Sequence, residues 1–500
     1  MNEYLLAALQ RALLPQSLVA MTFGVTAGII IGALPGLTAT MGVALLIPIT
    51  FGMDPVAGLL MLTAVYGGAI YGGSISAILI HTPGTPASAA TALDGYEMTK
   101  QGKAGLAIGI SVIASSIGGI ISVLALLLLA PPLSRLSLRF GPPEYFLLAV
   151  FGLTIIGSIT AKSLIKGLIG AVFGLLLATV GIDVLTGAFR YTFGITALES
   201  GVSLVPAMIG FFSLSQVLML TEETKESIVS LPDLGKERIL PTLEELRSLL
   251  GTILYCSVLG TFVGILPGAG GDIASWVGYN EAKRISKHPE KFGTGYIYGV
   301  AAAESANNAV TGGAMVPLLT LGIPGSATAA VLLGGLLIQG LVPGRDLFTK
   351  YADVTYAVIV GMFITNILML IIGLVSARYA MYIAGIPINI LIPLIVALCV
   401  IGSYAINNSM FDVWIMLVFG LIGFLMRKQG FHPAPVVLAL ILGPMAEMGL
   451  RQSLVISKGA ILPYFLGRPI SLILVVLIIA SIVSTIILER RHPERILVEE

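Results

Sequence analysis

The chain has 500 residues, 56% of them hydrophobic and only 11% charged, with a formal net charge of +1. A soluble domain carries about 25% charged residues, so this composition excludes an ordinary soluble enzyme. The near-neutral charge gives no footprint for nucleic acid or any strongly charged partner. The two cysteines, Cys256 and Cys399, both fall in apolar runs and read as small buried hydrophobes rather than a disulfide or a metal site.

In chain order, Met1 to Gln16 reads as a short amphipathic helix, with Glu3 and Arg11 among leucines. It lacks the basic-then-apolar order of a cleaved signal. A spanning helix needs about 20 apolar residues. In the first half such segments run near 17–33, 104–130, 144–160, 164–181 and 201–220. Segments 37–52, 55–81 and 85–94 are short or studded with Gly, Pro, Ser and Thr, and read as discontinuous helices or re-entrant hairpins. Residues 221–247 form a charged surface linker with Glu222, Glu223, Lys225, Glu226, Asp233, Lys236, Glu237 and Arg238. In the second half, spans fall near 250–265, 353–375, 388–404, 410–426, 434–450 and 470–488, with interrupted segments at 296–322 and 326–342. Basic clusters at 283–291, 427–428 and Arg490, Arg491 and Arg495 are expected to face the cytoplasm.

The halves repeat one another. Gly32-Ala33-Leu34-Pro35-Gly36 returns as Gly264-Ile265-Leu266-Pro267-Gly268. Gly72-Gly73-Ser74 followed by Thr82-Pro83-Gly84-Thr85 returns as Gly312-Gly313-Ala314 followed by Ile323-Pro324-Gly325-Ser326. The expected fold is therefore an all-α polytopic membrane protein of about 10–12 spanning helices. It has re-entrant hairpins and two homologous repeats, 1–220 and 248–500, around the linker 221–247. Inverted topology is expected because it is common among duplicated carriers.

Pro removes a backbone donor and Gly loosens a helix, and backbone freed at membrane depth survives only inside protein or along a polar cavity. Paired interruptions in two halves point to a transporter's substrate site. A broken helix exposes N–H groups that favour an anion, while carbonyl, Asn and Ser oxygens suit a hard cation such as Na⁺. Around the breaks stand Thr38, Thr40, Tyr66, Tyr71, Ser74, Ser76, Thr82, Thr85 and Ser88, then Asp272, Ser275, Glu304, Ser305, Asn307, Asn308, Thr311, Ser326 and Thr328. No Lys or Arg lies near the breaks, so an anion there would rest on backbone dipoles and co-bound cations. Glu304-Ser305-Ala306-Asn307-Asn308 is the sharpest local signal, because an ionisable residue at membrane depth costs about 2.5–3.5 kcal/mol and so has a partner or a role. By position Asn307 and Asn308 correspond to Gly67 and Gly68, so the two halves cannot form identical sites. His81 reads as a hydrogen-bonded structural histidine, and Asp54-Pro55 and Asp94-Gly95-Tyr96 as turn or helix-start chemistry. His-Glu-x-x-His, Gly-x-Ser-x-Gly and Walker A patterns do not occur, which argues against an enzyme and against direct drive by ATP.

The motifs Tyr71-Gly72-Gly73-Ser74-Ile75, Thr82-Pro83-Gly84-Thr85-Pro86, Glu304-Ser305-Ala306-Asn307-Asn308 and Leu318-Leu319-Thr320-Leu321-Gly322-Ile323-Pro324-Gly325-Ser326 carry a resemblance. In them the chain resembles the large transmembrane subunit of the bacterial tripartite tricarboxylate transporter (TctA-like) family, over essentially its whole length. The resemblance implies a multi-pass secondary carrier of the bacterial inner membrane. It would import citrate-like di- and tricarboxylates with Na⁺ or H⁺ as coupling ion and no other cofactor, by elevator-type alternating access. Implied partners are a small four-helix membrane subunit and a periplasmic substrate-binding protein. The substrate site carried over comprises Pro35, Gly36, Thr38, Ser74, Pro83, Gly84, Thr85, Pro267, Gly268, Asn307, Asn308, Pro324, Gly325 and Ser326. Asn307, Asn308, Glu304 and Asp272 are the cation candidates. The competing readings are a membrane-embedded enzyme, which lacks a facing acid–base pair, and a channel, which concentrative uptake would exclude.

Overall fold

The computed structural model describes residues 2–137, 139–160, 164–183, 186–222, 237–268, 270–380, 382 and 388–491. The centre of the expected linker, 223–236, and Arg495 lie outside them. The first half holds α1 (Asn2–Ala12), α2 (Pro15–Ala33), α3 (Ala39–Thr50), α4 (Pro55–Ile80), α5 (Ala89–Lys100), α6 (Ala104–Ser137), α7 (Pro142–Thr160), α8 (Leu164–Ala178) and α9 (Leu204–Glu222). The second holds α10 (Leu243–Ile265), α11 (Gly270–Ile285), α12 (Ile297–Leu321), α13 (Ala327–Ile338), α14 (Ala352–Ser376), α15 (Ile388–Asn407), α16 (Met410–Lys428), α17 (Ala434–Ile456) and α18 (Pro469–Arg491). Among the described residues, nine helices are long and apolar enough to cross a membrane, and four more are apolar but shorter. The protein is a polytopic all-α membrane protein, as its composition and spans require.

Helix starts follow local chemistry. Asp54 caps α4 by accepting from Val56 N at 3.0 Å and Ala57 N at 3.3 Å. Thr242 and Glu245 form a reciprocal capping box at α10. Arg11 of α1 pairs with Asp54 at 3.4 Å and with Asp353, which satisfies the charge of the amphipathic N-terminal helix.

By contact density the chain forms two compact units, residues 1–133 with 216–398, and 134–215 with 399–500. Each unit draws on both sequence halves. A compact unit and a repeat unit are different divisions, and neither determines the other.

In the first unit α2 packs along α4, and α10 along α12. Segments 55–81 and 296–322, expected to be interrupted, are instead the unbroken helices α4, of 26 residues, and α12, of 25. Their glycines serve contact rather than breakage. A Cβ on Gly68 would stand 2.7 Å from the Val25 carbonyl oxygen, and one on Gly313 would stand 2.5 Å from that of Thr261. In lipid, where apolar surface gives no drive between helices, close backbone approach is what holds them together.

Asp94 lies inside α5 rather than at a turn, and it fastens the loop before α12. Its Oδ1 accepts from Gly293 N and Gly295 N at 2.9 Å and from Tyr296 N at 2.7 Å, and its Oδ2 from Tyr279 OH at 2.8 Å. Gly293 and Gly295 reach this carboxylate with φ of 88° and 91°, which a side chain would resist. Asp94→Ala removes the acceptor of three part-buried amides, hydrogen bonds to a charged group that are each worth about 1.5–3 kcal/mol. The variant is expected to unfold well below the wild type in a detergent thermal scan, and an unchanged transition would refute the clamp.

The second unit contains α7, α8, α16, α17, α18 and a short antiparallel hairpin, β1 (Gly181–Ile182) with β2 (Phe189–Arg190). Buried Asp183 pairs with Arg451 at 2.8 Å, and Glu447 pairs with Arg190 at 2.6 Å. Buried Glu144 is met by Arg468 Nε and Ser471 Oγ, each at 2.6 Å.

Candidate substrate site at four helix interruptions

All fourteen substrate candidates, and the cation candidates Glu304 and Asp272, belong to the first compact unit. At the first corner α2 stops at Ala33, Leu37 N donates to Leu34 O at 3.1 Å, and Gly36 turns with φ of 85°. Thr38 then caps α3 by accepting from Met41 N at 3.2 Å. The third corner is similar, with α10 ending at Ile265 and Gly268 at φ of 81°.

The second and fourth corners fold back onto the helices that precede them. Gly84 N donates to Gly73 O at 3.1 Å, and Ser88 Oγ to the same oxygen at 2.8 Å. A Cβ on Gly84 would collide with the Gly32 carbonyl oxygen and come within 3.0 Å of Gly73 Cα. A Cβ on Gly325 would collide with the Gly264 carbonyl oxygen and come within 2.9 Å of Ala314 Cα. The glycines that signal the motif are thus the places where corner and helix touch.

The four corners meet. Thr40 Oγ1 at the start of α3 hydrogen-bonds Thr328 Oγ1 at the start of α13, 2.9 Å away. Gly270 N donates to Gly325 O at 3.3 Å, which joins the third corner to the fourth. A Cβ on Gly271 would lie 3.1 Å from Ala87 Cβ, which brings the start of α11 against the second corner. Four helix beginnings therefore gather around one region, and their exposed N–H groups give it a positive bias without any basic side chain.

The convergence is asymmetric. A Cβ on Gly28 would meet the Val65 carbonyl, and one on Gly260 that of Ala306. The next residue on α4 is Tyr66 and the next on α12 is Asn307, so Asn307 matches Tyr66 rather than Gly67, and Asn308 matches Gly67. The tyrosine is satisfied, its hydroxyl 2.9 Å from Ser326 Oγ. Ser326 also caps α13 through Ala329 N at 3.1 Å. On the other side the shorter asparagine leaves both partners open. Asn307 Oδ1 and Nδ2 and Thr85 Oγ1 are all buried with no hydrogen-bond partner. Both amide atoms of Asn308 are in the same condition. A buried orphan polar atom costs about 1–3 kcal/mol, and the three atoms of Asn307 and Thr85 sit at the convergence.

Asn307 and Asn308 do not act as one unit, because consecutive helical residues point about 100° apart. Asn307 faces Gly271 of α11. Glu304 is fully buried and faces away from the corners, accepting from Thr91 Oγ1 at 2.5 Å and Ser115 Oγ at 2.8 Å. Asn308 follows one turn after Glu304. Ser74 is not at a corner either; it pairs with Ser111 Oγ at 2.6 Å beside Glu304. Asp272 is exposed in the first turn of α11. Pro35, Pro83 and Pro267 are half-buried at their corners and Pro324 is buried. Ser76, Ser275, Ser305 and Thr311 bond to main-chain carbonyls of their own helices. Exposed His81 ends α4 in a left-handed conformation and stacks on Tyr96 at 4.6 Å, outside the convergence. Thr91, Ser111 and Ser115 were missed. The four-residue spacing of the two serines on apolar α6 was a readable signal, whereas Thr91 offered none.

The model of the tripartite tricarboxylate transporter TctA family matches residues 18–438. The chain belongs to that family. An uncharacterized 52.8 kDa protein in the TAR-I ttuC' 3' region of Agrobacterium vitis is 38% identical over 495 residues, 98% of this chain and 97% of that protein. An uncharacterized protein in the TAR-II ttuC' 3' region of the same organism is 40% identical over 200 residues, 40% of this chain and 83% of its own length. No solved structure matches. Family membership makes this TctA-family chain a multi-pass membrane component of a transporter that works with other subunits.

Proposed function

We propose that this TctA-family protein imports citrate-like di- and tricarboxylates across the bacterial inner membrane by cation symport. In this reading it works with a small four-helix membrane subunit and a periplasmic binding protein that delivers the ligand. The observation that carries the proposal is the set of unpartnered buried atoms on Asn307 and Thr85 at converging helix starts. Amide and hydroxyl donors with helix N-termini suit carboxylate oxygens, and the amide oxygens, with Asp272 and Glu304, suit cations. The corner residues Pro35, Gly36, Thr38, Pro83, Gly84, Pro267, Gly268, Pro324, Gly325 and Ser326 supply backbone to this cradle. Because every candidate falls in one compact unit, that unit can carry substrate as a body, which supports an elevator-type cycle. The matched collisions at Gly84 and Gly325 support two homologous halves, which we take to be inverted.

Charge sets the coupling. Moving one charge through 100 mV is worth about 2.3 kcal/mol, so a dianion entering a negative interior is opposed by about 4.6 kcal/mol. Two co-transported cations cancel that cost. Uptake by proteoliposomes holding the complete transporter is expected to stop when both Na⁺ and H⁺ gradients are collapsed. Concentrative uptake that persists would overturn the coupling.

A further inference from the structure

Among the described residues, Glu304 differs from the other buried acids. Glu144 and Asp183 are met by arginines, Asp94 by three backbone amides and the Tyr279 hydroxyl, and Asp412 by the Ser203 hydroxyl and the Asn407 amide. Glu304 is met by hydroxyls alone. Thr91 Oγ1 of α5 donates to one oxygen and Ser115 Oγ of α6 to the other. Ser111 of α6 and Ser74 of α4 stand next to them, 2.6 Å apart. Tyr71 OH of α4, which lies near Glu304, is buried and unpartnered. The other titratable groups around this packing are Asp94 of α5 and Tyr279 of α11, bonded to each other, and Cys256 of α10, whose Sγ lies 3.5 Å from the Gly278 carbonyl oxygen.

We propose that Glu304 binds the coupling proton, at a pocket separate from the carboxylate cradle. This rests on the transport reading above and names the ion and its place. A hydroxyl both donates and accepts, so the cage fits either form of the carboxyl. When Glu304 is ionised, Thr91 and Ser115 donate to it. When a proton from water joins one oxygen, the new O–H donates to a hydroxyl that rotates to accept. No bond other than O–H forms or breaks, and no charged partner has to move. The position also links proton to cargo. Thr91 lies on α5, which leads directly from the corner bearing Thr85, and Asn307 follows Glu304 by three residues on α12. The proton state therefore changes the attachment of a corner-bearing helix to the helix that bears the open amide.

The test uses the complete transporter in proteoliposomes with an internal pH dye, equal Na⁺ on both sides and externally added citrate. Wild type is expected to acidify the lumen as citrate enters. Glu304→Gln, neutral at every pH, is expected to end citrate-driven acidification and to flatten the pH dependence of any remaining citrate exchange. Ser115→Ala removes one donor that favours the ionised form. It is expected to move the pH midpoint of uptake upward by about one unit, on the order of tenfold in proton concentration. Acidification that survives Glu304→Gln, or a midpoint unmoved by Ser115→Ala, overturns the assignment. Citrate uptake by wild type that follows Na⁺ with no luminal acidification also overturns it while leaving the transport reading standing. Failure of wild type to move any carboxylate removes both.

Discussion

Alanine at Gly84 or Gly325 is expected to abolish carboxylate uptake. A Cβ on Gly84 would collide with the Gly32 carbonyl oxygen and lie 2.7 Å from Ser76 Oγ; a Cβ on Gly325 would collide with the Gly264 carbonyl oxygen and lie 2.9 Å from Ala314 Cβ. The carbonyls belong to helix backbone, so relief requires a corner to move rather than a side chain to rotate. Overpacking of this kind costs about 1–3 kcal/mol or more. A displacement of about 1 Å suffices to spoil a positioned binding group. Uptake is expected to fall by at least about 100-fold in both variants, with a lower unfolding temperature. Gly251 provides the control, because a Cβ there meets nothing within 4 Å and Gly251→Ala should transport normally. Full activity in Gly84→Ala would show that the corner geometry is irrelevant to transport.

Asparagine 307 makes the opposite trade. Asn307→Leu keeps the branching and the number of side-chain heavy atoms while removing two buried atoms that have no hydrogen-bond partner. Replacing orphan polar atoms with apolar ones is neutral or stabilising, by about 1–3 kcal/mol. The unfolding temperature is therefore expected to hold or rise. Binding, by contrast, loses two contacts to charged or strongly polar ligand atoms, each worth about 1.5–3 kcal/mol, so affinity should fall by at least about 100-fold. Stability and uptake moving together in this variant would mean that Asn307 is structural.

Much of this arrangement is legible in the chain. The Pro-Gly pairs mark real corners because Pro and a positive-φ Gly stop a helix whatever surrounds it, as Gly36 and Gly268 do. The glycines of α4 and α12 misled. Spacing alone does not distinguish a glycine that breaks a helix from one that admits a neighbouring backbone, as Gly68 admits Val25. Asn307 and Asn308 read as one feature because they are adjacent, yet a helix turns them toward different neighbours. Asp94 resembled turn chemistry because its four donors come from residues 279 to 296, far along the chain. The correspondence of Asn307 with Tyr66 needed the contacts of Gly28 and Gly260 to fix the register. That single-residue shift sets the unpartnered amide of Asn307 against the satisfied hydroxyl of Tyr66.

The most direct measurement is a structure of the protein in lipid saturated with citrate and coupling cation. The account predicts a carboxylate within hydrogen-bonding distance of Asn307 and Thr85, with its oxygens toward the starts of α11 and α13. Citrate bound elsewhere, with these corners packed dry around it, would contradict it.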